Sequence, residues 1–400
     1  MIKIRIGSFE SNIWKMYLMK LLYNMYFYSA VIVPFYTEWG GIKFSRILFL
    51  NAWFMFWNFL LEVPTGTVAD FLGRKVSLIL GCMIGAAGVL IYASYPHILV
   101  FLFAEVILSV SYTLISGADE ALVYDSLKKI NQTHLSKKVF SRMESLKLTG
   151  IVIAAISGGF IAKHLGLRMP MILQSIPLAI AGLLAASLKE PEISQTKPTV
   201  SFSTYRKILT DGFKYFWRCK ILKLLTLDMV IVFAFSWIIL WFYQALLKNA
   251  GVDIAYFGIV HAFMSLTQIL IINNFIRLEK WLGSKKRVLF LSAFLTGAAF
   301  ILLGVTSYAP LVIGGIILCT DFGLSRKPLF SSYMNKYIPS NKRATILSTI
   351  FMLRTFSIVV VNIVSGLLAD WSIQNTLIIL GFLMIAFSFL SNIKEEHLID

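Results

Sequence analysis

Six charged side chains lie within stretches that are otherwise strongly apolar, and their types could bind protons or solutes. They are Glu62, Glu105, Asp228, Asp321, Arg326 and Arg354. A carboxylate can accept and release a proton, whereas an arginine keeps its charge and can hold an anionic group. Because each is costly to bury in apolar surroundings, each is a candidate for substrate or proton coupling.

The solvent around these stretches must be lipid. Of the 400 residues, 58% are hydrophobic and 14% are charged, which leaves too little polar surface for a water-soluble fold. In a soluble protein the net charge of +17 would suggest nucleic acid as a partner. Here the charge is explained by basic loops on one membrane face, and no nucleic-acid partner is expected.

Other chemistries lack the residues that they need. Cys82, Cys219 and Cys319 lie far apart, without the spacing of a disulfide framework or a zinc site. The sequence offers no His-rich metal cluster, nucleophile motif or phosphate loop. We therefore expect no metal, no cofactor and no enzyme activity. A non-transporting sensor or scaffold would not need charges at mid-membrane.

Twelve apolar runs are long enough to cross a membrane, since a helix needs about 20 residues for roughly 30 Å of hydrocarbon. They cover 16–37, 46–69, 77–95, 98–122, 145–163, 169–188, 221–245, 254–276, 288–307, 310–334, 344–369 and 374–392. We name them spans one to twelve. The predicted fold class is an all-α membrane protein with twelve transmembrane helices.

The positions of Lys and Arg predict the orientation of these spans. Only five fall in loops on one side, and they are Lys43, Arg46, Lys163, Arg168 and Lys248. Cytoplasmic loops are enriched in basic residues, so the other side is predicted to be cytoplasmic. Both termini would then lie in the cytoplasm, with the chain in the inner or plasma membrane.

The chain divides into two similar halves. We expect an N-terminal six-helix bundle over 1–190, a cytoplasmic linker with an amphipathic helix over 191–220, and a C-terminal six-helix bundle over 221–400. FLGRKVSLIL (71–80) is echoed by WLGSKKRVLF (281–290), and SGGFIA (157–162) by SGLLAD (365–370). The two members of each match lie at corresponding positions of the two halves, which predicts two pseudo-symmetric bundles.

Spans three, six, nine and twelve contain no Asp, Glu, Lys, Arg or His. Nearly all of the intramembrane charges lie on the other eight spans. Every third helix is therefore suited to face lipid around a polar interior.

The most informative motif is EVPTGTVADFLGRKVSLILG, residues 62–81, between spans two and three. It resembles the signature loop of the major facilitator superfamily. The twelve spans, the central linker and the weaker second copy at 281–287 extend this resemblance over nearly the whole chain. It implies two bundles around a central cavity that opens alternately to each side.

The resemblance also implies a gating role for five residues of this region. Gly66 would permit close approach of a neighbouring helix, and Asp70 would sit near the N-terminal end of span eleven. Gly73 would allow the tight turn. Arg74 would pair with Asp70 or with Asp125 at the end of span four.

By resemblance to bacterial drug-efflux members, the expected activity is proton-coupled export of a small organic solute by a monomer in the lipid bilayer. Two departures weaken the antiporter assignment. Glu105 stands where many proton-driven drug antiporters carry an Arg, and Ala154-Ala155 interrupts the glycine pattern of span five. The alternative is proton-coupled uptake of a metabolite or organic anion, which Arg326 and Arg354 could favour.

Depth singles out Asp321 and Arg354 among the candidates. Asp321 follows Pro310 by eleven residues and Arg354 follows Ala344 by ten, so at 1.5 Å per residue both lie about 15 to 16 Å deep. That is the middle of a roughly 30 Å core. An ion pair between them is possible, either as a coupling site or as a structural pair. Glu105 and Asp228 are the next candidates for titration.

Overall fold

The computed structural model describes residues 9–191, 210, 213–338 and 343–398. Within these ranges the regular elements are helices, and none is a strand. Eleven helices are long and apolar enough to cross a membrane, and one bent pair of helices brings the number to twelve. The predicted fold class is therefore confirmed.

Spans one to six follow the predicted order, with breaks in the first and the fourth. Their helices are Phe9–Tyr23, Phe27–Ala30, Ile32–Pro34 and Phe35–Trp39 in span one, Phe44–Leu72 in span two, Arg74–Tyr92 in span three, Ile98–Ile115 and Ala118–Lys129 in span four, Ser136–Leu165 in span five, and Met169–Ala186 in span six.

Spans seven to twelve repeat this order, with breaks in the seventh and the tenth. Their helices are Lys220–Trp237 and Ile239–Asn249 in span seven, Ile254–Tyr256 and Phe257–Leu282 in span eight, Lys285–Val305 in span nine, Ala309–Leu318, Cys319–Leu324 and Arg326–Lys336 in span ten, Arg343–Trp371 in span eleven, and Ile373–Leu390 in span twelve.

The chain forms two compact units. The first comprises 1–42, 50–196 and 253–262, and the second comprises 43–49, 197–252 and 263–400. Segment 43–49 therefore belongs to the second unit, although the rest of span two belongs to the first. Segment 253–262 belongs to the first unit, although the rest of span eight belongs to the second. Most of the predicted linker, 191–220, lies outside the described residues.

Local sequence signals explain where several spans begin. Ser284 precedes span nine and accepts the backbone N–H of Arg287 at 3.2 Å, and Ser372 precedes span twelve and accepts that of Asn375 at 3.1 Å. Side-chain oxygens in this position satisfy N–H groups that the first helical turn leaves without partners. Span three instead starts after Gly73, whose φ of 98° is readily adopted only by glycine.

The uncharged spans pack against each other in pairs. Spans nine and twelve meet at Gly297 and Gly381, where an added Cβ atom would lie 2.9 and 2.7 Å from the carbonyl oxygen of the other glycine. Spans three and six meet at Gly182 and Met83. Small residues let helix backbones approach closely in lipid, and the far sides of these helices expose large apolar side chains such as Leu183 and Phe382.

Candidate functional site

Glu105 is the centre of a polar cluster in the first unit. Span four starts after His97, whose side chain accepts the backbone N–H of Leu99 at 3.3 Å. About two turns later it places Glu105 inside the bundle, with 8% of its surface exposed. The Tyr92 hydroxyl donates to Oε1 of Glu105 at 2.8 Å, and the Tyr36 hydroxyl lies 3.5 Å from the same atom. The ion pairs of the described residues do not include Glu105.

Aromatic rings enclose this carboxyl group. The hydroxyls of Tyr36 and Tyr92 are hydrogen-bonded to each other. Tyr92 stacks on Phe101 with ring centroids 5.2 Å apart, and Phe35 stacks on Trp39 at 4.7 Å. Rings of this kind form a rigid wall that presents hydroxyls to a polar group and faces to an apolar one.

Span one is irregular beside this cluster. Its segments Phe9–Ala30 and Ile32–Trp39 meet at 60°, and the first helix already ends at Tyr23, before the turn that begins at Phe27. The Asn24 side chain donates to the Lys20 carbonyl at 2.8 Å, and the Phe27 N–H donates to Oε1 of Gln174 at 3.0 Å. Gly158 of span five lies directly against the carbonyl of Phe27. The Lys20 carbonyl and the Phe27 N–H are thus satisfied by Asn24 of span one and Gln174 of span six, as a break in an apolar medium requires.

The second unit contains a buried ion pair between spans seven and ten. Nη2 of Arg326 donates to Oδ1 of Asp228 at 2.5 Å, and the Ser391 hydroxyl donates to Oδ2 at 2.7 Å. The guanidinium also lies 5.1 Å from the ring centre of Phe330. Within the described part of the chain, Nε and Nη1 of Arg326 have no hydrogen-bond partner.

A small cavity of about 30 Å³ adjoins this pair, enough for a water molecule or two. Polar groups of spans seven, nine and twelve line it: Asp228, Lys286, Ser388 and Ser391. Leu289, Phe290, Ala293 and Ile393 form the rest of its wall. Since Lys286 and Ser391 stand at helix ends, the cavity lies between Asp228 and the predicted cytoplasmic face.

Asp321 and Arg354 occupy separate surroundings in this unit. Asp321 lies on a π-helical turn, Cys319–Leu324, and its Oδ1 accepts the Thr267 hydroxyl at 3.0 Å. The Arg354 guanidinium lies over two rings, 5.2 Å from Phe233 and 5.0 Å from Phe351. The ion pair considered from their equal depth is absent from the described residues, because equal depth does not fix which way each helix turns its side chain.

The first unit holds a counterpart of the buried pair, with the charges exchanged. Lys20 of span one pairs with Asp119 of span four. Asp228 follows Lys20 by 208 residues, and Arg326 follows Asp119 by 207. Neither pair was predicted from the sequence, although the repeat of the two halves is a signal that relates one pair to the other.

The signature loop has the expected turn and charge pair. Arg74 pairs with Asp125 and donates to the Ala121 carbonyl at 2.7 Å. The Glu190 carboxylate accepts the backbone N–H of Arg74 at 3.0 Å. Among the described residues, nothing lies within 4 Å of a Cβ atom added to Gly66.

Asp70 and Glu62 are the remaining candidates. The Asp70 side chain lies outside the described part of the structure. Glu62 accepts the Ser116 hydroxyl at 3.1 Å and is exposed. Among the described residues, no group of three His, Cys, Asp or Glu side chains could hold a metal ion.

Similar proteins give this arrangement a context. An MFS-type transporter of Bacillus subtilis, YxaM, is 23% identical over 314 residues, which is 76% of each chain. Multidrug resistance protein 2 of Bacillus subtilis is 27% identical over 163 residues, 41% of this chain and 40% of that protein. The crystal structure of the nucleoside transporter NupG superposes with a TM-score of 0.79 at 16% identity, covering 95% of this chain and 98% of that one.

The family assignment rests on the longest match. The sequence profile of the Major Facilitator Superfamily matches residues 19–362, which cover spans two to ten in full, spans one and eleven in part, and both buried ion pairs. The family and the similar structures are transporters rather than enzymes. This chain is therefore a multi-pass membrane transporter that belongs to the major facilitator superfamily.

Proposed function

We propose that this transporter exports a small amphipathic organic solute and couples that movement to protons. It would act as a monomer in the cell membrane, with both termini in the cytoplasm. The charge bias of the loops supports this orientation. The solute and the proton would be its only small-molecule partners.

One comparison among buried carboxyl groups carries the proposal. Asp119 and Asp228 are neutralised by Lys20 and Arg326. Glu105 and Asp321 instead have hydroxyl partners, and the ion pairs of the described residues do not include them.

Lipid makes this difference important. An unpaired charge in the middle of a membrane costs about 2.5 to 3.5 kcal/mol on insertion scales, and taking up a proton removes that cost. Carboxyl groups without a cation are therefore the natural proton carriers of the chain. Transporter sites commonly lie at this depth, and broken helices often form them.

Aromatic rings in both units support an amphipathic solute. Aromatic rings enclose Glu105, and Trp237 stacks on Phe233 in span seven with centroids 5.9 Å apart. Rings stack on apolar or aromatic solutes while hydroxyls bind their polar groups. The partial match to a protein named for multidrug resistance supports export as the direction.

Everted vesicles with an imposed pH gradient test the coupling. A panel of amphipathic compounds is added while a pH-sensitive dye reports proton movement. We expect compound-dependent proton movement that is lost in Glu105→Gln and in Asp321→Asn. Glu144→Gln is the matched control, because Glu144 is exposed and pairs with Lys147 one turn away; it should behave as wild type. Compound transport by wild-type vesicles that is the same with and without the pH gradient would refute proton coupling.

Arg354 favours a second candidate, which is uptake of an organic anion. Its guanidinium lies over the rings of Phe233 and Phe351, an arrangement that orients the group while retaining its charge. Under this alternative, Arg354→Ala would weaken transport of carboxylates far more than of neutral compounds. Net accumulation in right-side-out vesicles, rather than extrusion, would decide between the two candidates.

A further inference from the structure

A short helix precedes span seven on the predicted cytoplasmic side. Residues 213–218 are helical, and the helix of span seven begins two residues later at Lys220. We name residues 213–218 the juxtamembrane helix. The sequence predicts an amphipathic helix within 191–220, and the proposed transport gives it no role. The side chains that this helix presents therefore need an explanation of their own.

One face of the juxtamembrane helix is fixed to the second unit. Phe216 is 3% exposed and belongs to an apolar cluster with Leu222 of span seven and Phe330 of span ten. The Tyr215 hydroxyl donates to the Tyr337 carbonyl at 2.9 Å, just beyond the helix of span ten. So short a helix is not stable by itself in water, so these contacts hold it in place.

The other face is exposed. Phe213, Lys214, Trp217 and Arg218 all lie on it, and 62% of the Trp217 surface is exposed. At 100° per residue, these four side chains occupy a continuous arc of about 140°. Residues four apart are neighbours on a helix, so the two aromatic rings form one stripe and the two cations form a second stripe beside it.

A contact with span seven gives the depth of this arc. Lys223 stands in the first turn of the span seven helix, and its Nζ lies 5.3 Å from the centre of the Trp217 ring. Trp217 therefore lies beside the turn at which span seven enters the membrane. Tryptophan is enriched at this level because its ring has an apolar body and a polar N–H. The exposed arc thus faces the inner surface of the bilayer.

The charge of this region is entirely positive. FKYFWRCKILK, residues 213–223, contains Lys214, Arg218, Lys220 and Lys223 and no acidic residue. Clusters of four or more cations directly beside a transmembrane helix bind negatively charged headgroups of the cytoplasmic leaflet. The N–H groups of lysine and arginine are donors for phosphate oxygens. Aromatic rings alone would suit any lipid, and the cations add a preference for an anionic one.

From this arrangement we infer that the exposed arc of the juxtamembrane helix binds an anionic phospholipid of the cytoplasmic leaflet. Lys214 and Arg218 would bind the headgroup, while Phe213 and Trp217 would lie against the glycerol and the upper acyl chains. The combination of rings and cations on one face favours lipid over a soluble acidic partner. The inference goes beyond the proposed function and depends on neither the solute nor the coupling ion.

Fluorescence quenching of the whole transporter in nanodiscs tests the inference. Wild type and Trp217→Phe are reconstituted in phosphatidylcholine with increasing fractions of brominated phosphatidylglycerol or of brominated phosphatidylcholine. The difference between the two proteins isolates the emission of Trp217, which bromine quenches only at close range. We expect phosphatidylglycerol to reach half-maximal quenching at a mole fraction about tenfold lower than phosphatidylcholine, a preference that two surface cations can supply.

Two double variants with equal loss of charge identify the cations responsible. Lys214→Gln with Arg218→Gln should bring the two lipids within about twofold of each other. Lys128→Gln with Lys138→Gln is the matched control, because both lysines are exposed and lie on the same predicted face; it should keep the preference. Since all four side chains are exposed, both double variants should have the Tm of wild type in phosphatidylcholine. Lys214→Gln alone should give an intermediate preference.

Several outcomes would overturn the inference. Equal quenching by the two lipids in wild type would do so, and so would a preference that survives in Lys214→Gln with Arg218→Gln. A preference lost equally in the control would show that it comes from the overall charge of the inner face. Soluble glycerol phosphate and polyglutamate should not reverse the quenching. Reversal by the first would identify a site for free phosphate, and reversal by the second a site for an acidic protein.

Discussion

Glu190, which follows span six, accepts the backbone N–H of Arg74 at the start of span three. Its second carboxylate oxygen accepts the N–H of Lys75 at 2.6 Å. Glu395, which follows span twelve, does the same for Lys285 and Lys286 at 2.8 and 2.9 Å. A negative charge at this end of a helix satisfies exposed N–H groups and complements the helix dipole. One carboxylate thus connects span six to span three, and another connects span twelve to span nine.

We expect Glu395→Gln to lower the stability of the transporter by about 1 kcal/mol, as helix-cap substitutions do. Burial raises the pKa of Glu395, but hydrogen bonds from the Ser284 hydroxyl and from the N–H groups of Lys286 and Lys285 outweigh burial and lower the pKa below its usual value. The stabilisation is therefore present above the unfolded-state pKa and is lost as the pH falls through the lowered one.

Thermal unfolding at several pH values measures this effect. The Tm gap between wild type and Glu395→Gln should be full near pH 7 and should close below about pH 4. Glu396→Gln is the control, because that side chain is 69% exposed and should leave the Tm unchanged. A gap that persists undiminished in acid would mean that the charge of Glu395 does not stabilise the helix.

Gly158 offers a test of the break in span one. An added Cβ atom would overlap the carbonyl oxygen of Phe27, so Gly158→Ala should force the two helices apart and cost at least about 1 to 3 kcal/mol. Gly314→Ala is the matched control, because nothing lies within 4 Å of its added Cβ and alanine favours a helix. Unfolding temperatures in detergent should separate the two variants, and equal temperatures would contradict the close packing.

The spans could be predicted from the sequence because hydropathy and loop charge act locally. The breaks could not, since that of span one depends on Gln174, 147 residues away from Phe27. Depth placed Asp321 and Arg354 at one level, but pairing depends on how each helix is rotated about its axis. Arg326 pairs with Asp228 across 98 residues, and only the repeat of the two halves could have suggested that contact.

Cysteine labelling of intact cells tests the orientation. Single cysteines replacing Lys128 or Lys285 should be protected from a membrane-impermeant reagent, because the basic loops are predicted to be cytoplasmic. A cysteine replacing Lys248 should react, since Lys248 belongs to the small set of outer basic residues. Reaction at position 128 or 285 from outside would reverse the assigned topology.

The last prediction concerns the gating motif. No atom of the described residues lies within 4 Å of a Cβ added to Gly66, so Gly66→Leu should insert and fold normally, with a Tm close to that of wild type. Transport should nevertheless fall by tenfold or more, a flux loss corresponding to about 1.4 kcal/mol, if another conformation of the cycle brings a helix against bare backbone at this position. Asp70→Asn should give the same combination, because a helix N-terminus stabilises a carboxylate only while it is charged.

Abundance, Tm and flux must be measured on the same reconstituted preparation, so that a folding defect is not mistaken for a gating defect. Wild-type flux in both variants would show that the motif does not bias the conformational equilibrium, and a lowered Tm in Gly66→Leu would show that the residue has a packing role.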